Sequence, residues 1–168
     1  MKDDQKALFI VVNDQDDIVG YTSRFECHHN PHIIHRAVDV ILFNDKKEIL
    51  LQKRSINKDT FPGYYTVSAS GHVDKGETYL ASARREIQEE LGITDVDSIK
   101  LKKIAKYIVR LENESEMTVL YTGVYNGKIA PTPDEVESVV YVEKQSLLSM
   151  KKTITPGALA AFYKCNLL

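Results

Sequence analysis

Cysteine is scarce in this 168-residue chain. Cys27 and Cys165 are the only two, far apart and outside any CxxC pair, so a reduced, cytoplasmic setting is expected. Net charge is almost absent at −2, which gives no basis for bulk nucleic-acid binding or attraction to an anionic membrane. No apolar run approaches the ~20 residues that a membrane span needs. The first residues, Met1 to Lys6, are too polar for a signal peptide. Repeats, low-complexity tracts and interdomain linkers are missing too. What remains is ordinary globular composition, 43% hydrophobic and 27% charged. That suits one domain over residues 1–168 with a sizeable core.

The informative stretch is Gly71 to Ile93. Placed on a helix at about 100° per residue, Glu86, Glu89 and Glu90 share one narrow face at i, i+3 and i+4. Leu80, Ala83, Ile87 and Leu91 fall on the adjoining arc, the face expected to be buried. Thr78 or Glu77 can cap the start, and Gly92 is placed to cap the end. Like charges at this spacing repel by roughly 0.2–0.5 kcal/mol per pair. Arg85, four residues before Glu89, relieves part of this, and Glu86 with Glu89 and Glu90 is left uncompensated. A hard cation with oxygen preference, Mg²⁺ above all, would cancel the charge and keep waters for a phosphate-bearing substrate.

Gly71, Glu77, Arg85, Glu86, Ile87, Glu89, Glu90, Gly92 and Ile93 fill every fixed position of G-x5-E-x7-R-E-U-x-E-E-x-G-U, where U is a bulky aliphatic. The stretch thus resembles the Nudix box. The resemblance implies a loop–helix–loop site for divalent metal and a diphosphate, with Gly71 and Glu77 supporting the loop.

Around the box, Ala7–Val12 and Ile18–Arg24 read as an N-terminal hairpin extension within residues 1–27. His35–Phe43 and Glu48–Lys53 read as a core hairpin, and Tyr64–Ser70 as a strand leading into the box. Cys27–His32 reads as a loop. Strands are also expected at Ile99–Leu111, Met117–Tyr125 and Glu137–Val142. Helices are expected at Gln145–Met150, with Ser146 as a possible cap, and at Gly157–Asn166. Strands outnumber helices, which favours an α/β/α sandwich around a mixed sheet.

A second constellation consists of His28 and His35, seven residues apart, His72 inside the box, and Glu114 and Glu116, which share one face of a strand. This pattern resembles type 1 isopentenyl-diphosphate isomerase, a branch of the same superfamily. There, equivalent residues gather round one divalent metal. Lys53, Arg54 and Lys58 match that family's diphosphate-holding basic stretch, Phe61-Pro62-Gly63 its aromatic-Pro-Gly, and Ile154-Thr155-Pro156 its C-terminal segment. Imidazole with carboxylate suits Mn²⁺ or Zn²⁺, while the acidic helix suits Mg²⁺, with Mn²⁺ as a substitute. His29 and His32 match no position and are expected at the surface.

Two departures weigh against isomerisation. The isomerases carry a catalytic cysteine where this chain has Ser70, and Cys27 beside His28 is the nearest replacement. The isomerases also have a degraded box helix, whereas this one is whole. The expected function is a metal-dependent diphosphohydrolase, with Glu89 or Glu116 as base and Arg85 orienting the carboxylates. An isopentenyl-diphosphate isomerase and a non-catalytic metal or nucleotide sensor are the alternatives. The expected partner is a small diphosphate, whose attached group Phe61, Tyr64, Tyr65 or Tyr107 can stack on if it is a base. An exposed apolar edge also allows a homodimer.

Overall fold

The computed structural model describes residues 5–168. Its elements run β1 (Leu8–Val12), β2 (Ile18–Ser23), α1 (Arg24–Cys27), β3 (Ile34–Phe43), β4 (Ile49–Arg54), β5 (Tyr65–Thr66) and β6 (Ala69–His72). Then follow α2 (Tyr79–Leu91), β7 (Lys102–Arg110), β8 (Ser115–Val124), β9 (Val136–Val142), α3 (Ser146–Met150) and α4 (Pro156–Lys164).

Alternation along the ten-residue β3 sets the layers. Val38, Val40 and Leu42 face α2, where Ala83, Ile87 and Leu91 meet them. Ile41 faces the other way, toward Leu120, Leu147, Ala158 and Phe162 of the second core. Each fully buried aliphatic or aromatic side chain contributes about 1.5–3 kcal/mol. The result is the expected α/β/α sandwich around a nine-stranded mixed sheet. β3 is its spine. It pairs antiparallel with β1 and β6 and runs parallel to β8 from Ile34↔Ser115 to Phe43↔Val124.

The core hairpin opens like a fork. β3 and β4 pair only at Phe43↔Ile49. Ser68 fills the crotch: its hydroxyl accepts from the Leu42 N–H at 2.7 Å and donates to the Leu50 carbonyl at 2.6 Å. The single strand expected over Tyr64–Ser70 is therefore two. Tyr65–Thr66 pairs with β4, and Ala69–His72 crosses to β3. The gap this leaves in the sheet is where the candidate site forms.

Three further expectations are corrected. Cys27, expected to open a loop to His32, instead closes a short helix, α1, capped by the Ser23 hydroxyl. Leu80 is 37% exposed rather than buried, because Ser82 and Ala83 take the packed arc of α2 instead. Gln145, not Ser146, precedes α3, and no side chain caps it. The caps of α2 are as expected: Thr78 accepts from the Ala81 N–H, and Gly92 ends the helix at φ 63°.

Candidate metal centre

Glu86 and Glu90 reach the gap from α2. Gly71 makes room, since a Cβ there would lie 2.0 Å from Glu86 Oε1. Glu90 accepts from Gln52 Nε2 at 2.8 Å and from the Ser70 N–H at 2.9 Å. Burial and the neighbouring Glu90 push the Glu86 pKa well above the usual carboxylate range. Burial pushes Glu90 up as well, against the hydrogen bonds from Ser70 and Gln52. Glu89 is more open, its side chain 56% exposed.

Arg85 compensates more of this set than the sequence suggests. One nitrogen, Nη1, donates to Glu86 at 2.6 Å and to Glu89 at 3.0 Å. Nε and Nη2 grip Glu77, and Nη2 also holds the His72 carbonyl. Glu77 additionally accepts from Ser82 Oγ and the Asp74 N–H, so it is committed to the loop. Arg85 and Glu77, expected in supporting roles, are thus bound to each other and to the loop.

The histidines converge beside this set. His28, His35, His72 and Glu114 each offer a ligand atom within 4.8 Å of the others. Glu116 joins them, its Oε1 lying 3.4 Å from His72 Nε2 and 3.8 Å from His35 Nε2. α1 places His28, β3 places His35, β6 places His72, and the start of β8 places the glutamates, with Glu116 in register with His35. The donor set fits a metal. Among the described residues, both ring nitrogens of His35 and Oε2 of Glu114 are buried without a hydrogen-bond partner, although Glu114 Oε2 lies 3.2 Å from His28 Nε2, and an ion is a common reason for such orphans. Burial and His72 pull the His35 pKa down to about 3, so the ring is the neutral form that ligation needs. Burial and Glu116 push Glu114 up.

Arg24 Nη1 lies 3.3 Å from His72 Nδ1. A guanidinium only donates, so in this arrangement the ring proton sits on Nε2. Ligation through Nε2 requires that proton to leave, and the contact with Arg24 to loosen.

Both sets open into one cleft of about 590 Å³, lined also by Arg24, Asp39, Arg54, Lys58, Phe61 and Ser70. Arg54 bonds Thr60, and Lys58 pairs with Glu135 at 2.6 Å. Lys53 is absent from the lining. It follows Ile49 and Leu51 onto the opposite face of β4 and pairs with Glu137, since neighbours on a strand point apart. Phe61 lines the cleft with Tyr64 against its edge. His29 and His32 are exposed, as expected. Cys27 is fully buried, outside the cleft lining, and burial with Glu114 pushes its thiol up to about 12. It cannot stand in for a reactive thiol.

Sequence reasoning missed Gln52, Arg24, Asp39 and Phe9. Phe9 stacks on His72 at 4.3 Å between ring centroids and on His35 at 5.6 Å. Nothing in an apolar strand run marks one phenylalanine as a ligand support.

An acidic helix feeding a cleft beside a His/Glu cluster, on an α/β/α sandwich, defines the class. The NUDIX domain family matches residues 33–163, and the chain belongs to that family. Its sequence relatives place it on the branch of the isopentenyl-diphosphate isomerases. Human isopentenyl-diphosphate delta-isomerase 2 is 33% identical over 163 residues, spanning 84% of this chain and 71% of that one. Isopentenyl-diphosphate Delta-isomerase II of Arabidopsis thaliana is 31% identical over 169 residues, but the match spans only 60% of its length. Among solved structures, DR0079 from Deinococcus radiodurans superposes with a TM-score of 0.80 at 22% identity, covering 95% of this chain and 98% of that one. The Nudix domain of Shewanella oneidensis NrtR, complexed with ADP ribose, gives 0.62 at 17% identity, covering 77% and 84%. At those identities the structures speak for the fold.

Proposed function

We propose that this protein is a divalent-metal-dependent diphosphohydrolase. The observation that carries the reading is the whole acidic set of α2: Glu86 passes Gly71 and Glu90 is held by Ser70 and Gln52, both in a cleft that also holds Arg54 and Lys58. An ion bound between these carboxylates, Mg²⁺ by the chemistry of the donors, would neutralise phosphate charge and acidify a water molecule. Glu89, the most open of the three, is the base. It takes a proton as the water oxygen bonds to phosphorus and the bond to the leaving phosphate oxygen breaks. Glu116 is the second candidate for that proton. Arg54 and Lys58 bind the far phosphate, with Lys58 exchanging Glu135 for it.

Glu89→Gln keeps the shape and removes the base. With Mg²⁺, the wild type is expected to release phosphate or a nucleoside monophosphate from nucleoside diphosphate derivatives. The variant should lose about 10²–10⁴ of that rate with an unchanged circular dichroism spectrum. Undiminished turnover would sink the assignment of this helix.

The gathered His28, His35, His72, Glu114 and Glu116 favour isomerisation as the second reading. Ser70 weighs against it: a thiol has a pKa of about 8.5 and an unassisted hydroxyl is far less acidic. Incubation with isopentenyl diphosphate in D₂O separates the two, deuterium at the allylic carbon being expected only of an isomerase.

A further inference from the structure

The cleft carries an acid that neither ligand set uses. Asp39 sits in the middle of β3, on the face shared by His35 and Ala37. In register it stands opposite Ser70 of β6, whose N–H holds Glu90 at 2.9 Å. Asp39 is thus about one strand spacing, roughly 5 Å, from the strand that anchors the acidic helix. A group attached to a diphosphate at that helix comes within its reach.

Polar groups share the neighbourhood of Asp39 with the apolar cleft residues Ala37, Val38 and Ala158. Tyr107 donates its hydroxyl to Asp39 Oδ2 at 3.3 Å. Thr66 and Thr155, both in the cleft lining, are joined by a 3.1 Å hydroxyl–hydroxyl bond. Thr118, in register with both Ala37 and Tyr107, has a buried hydroxyl with no hydrogen-bond partner among the described residues. The bond to Tyr107 is the one hydrogen bond the Asp39 side chain makes among those residues, and the residue lines the cleft. Burial, with Glu116 and Glu90 adding to it, pushes its pKa up to about 8 against the Tyr107 bond. As carboxyl or carboxylate, the group accepts from a ligand hydroxyl. A hydrocarbon laid over this floor would leave its polar atoms unpaired, a penalty with no counterpart for a ligand that carries hydroxyls.

We propose that Asp39 reads the group attached to the diphosphate: it hydrogen-bonds a hydroxyl-bearing substituent, of the sugar or polyol class, and rejects a hydrocarbon chain. The proposal rests on the diphosphohydrolase reading for the reaction, while the contact itself is one of binding.

Two probes of similar length isolate that contact, glyceryl diphosphate and isopentenyl diphosphate. The wild type with Mg²⁺ is expected to hydrolyse the first with a kcat/KM about 100-fold above the second, the upper range for a buried polar group left unpaired by an analogue. Asp39→Leu should bring that ratio to about 10 or below, and Asp39→Asn, which still donates and accepts, should keep it within about tenfold of the wild type. If Asp39→Leu does not fold, Asp39→Ala takes its place. An unchanged ratio in the apolar variant overturns the role of Asp39. If the wild type hydrolyses neither probe, the hydrolase reading is left to its own test on nucleoside diphosphate derivatives. The same ratio is then read from calorimetric Kd values with Ca²⁺ present. Dependence of that ratio on Asp39 supports the inference, and independence overturns it.

Discussion

At the scale of single residues, the site depends on what is missing at position 71. A methyl group there would first meet the Glu86 side chain, at 2.0 Å from Oε1, 2.2 Å from Cδ and 2.8 Å from Cγ. A flexible side chain can yield where backbone cannot. Gly71→Ala should therefore leave the fold nearly as stable as before and displace Glu86. The expected result is a thermal midpoint within a few degrees of wild type and Mg²⁺ affinity about 10–100-fold weaker, the range seen when a ligand's support is lost. Calorimetric titration with Mg²⁺ checks it. A large drop in midpoint would mean that Gly71 serves the fold rather than the site. The residues gathered at the cleft were legible because their spacing is dense: nine box positions and a seven-residue histidine interval leave little freedom. Asp39 and Phe9 were not, because an isolated residue in a strand has no pattern to betray it. Lys53 was misplaced for a readable reason. It neighbours Arg54 on one strand, so the two could not both enter one cleft.

At the scale of elements, the N-terminal hairpin is more than an appendage. Its turn residue Asp16 adopts φ 71° and is gripped from three sides. Arg36 of β3 donates to Oδ1 at 2.7 Å, Tyr79 of α2 to Oδ1 at 2.8 Å, and Lys106 of β7 to Oδ2 at 2.9 Å. The hairpin so fixed carries Phe9 onto the histidines. Burial alone would raise the Asp16 pKa, but the bonds from Lys106, Tyr79 and Arg36 outweigh it and hold the group below its ordinary value of 3.8. A depressed carboxyl contributes stability above the unfolded value and loses it as pH falls through the folded one. Asp16→Asn should cost about 1–3 kcal/mol at pH 7. The deficit should shrink as the pH drops below about 4, where the wild-type group protonates too. Denaturant unfolding at pH 7 and pH 3 measures it. A deficit equal at both would show that geometry, not charge, is what Asn fails to supply. The hairpin itself was legible from its apolar and β-branched runs and its polar turn. The broken strand was not, because the switch of β5 and β6 between partners hangs on one serine hydroxyl at the fork.

At the scale of the whole molecule, the near-zero net charge conceals a separation. Glu86, Glu89, Glu90, Glu114 and Glu116 converge on one cleft with Arg24, Arg54 and Lys58, though the chain totals only −2. The sheet order that brings them together was beyond the sequence, since the parallel pairing of β8 with β3 joins segments about eighty residues apart and leaves no local signal. Metal should therefore act on the fold as a whole. An ion at 100 times its Kd stabilises by about 2.7 kcal/mol, or about 5–10 °C in midpoint for a chain of this size. Mg²⁺ should give such a rise through the acidic helix. Mn²⁺ should give a larger one, because imidazoles accept it as well. Glu86→Gln should remove most of the Mg²⁺ increment and leave the extra Mn²⁺ increment. His28→Ala, at a partly exposed ligand, should do the reverse. Scanning calorimetry of the three proteins with each ion and with chelator resolves the pattern. Loss of both increments in either variant would mean that the two donor sets hold their ions as one site, which the shared cleft also allows.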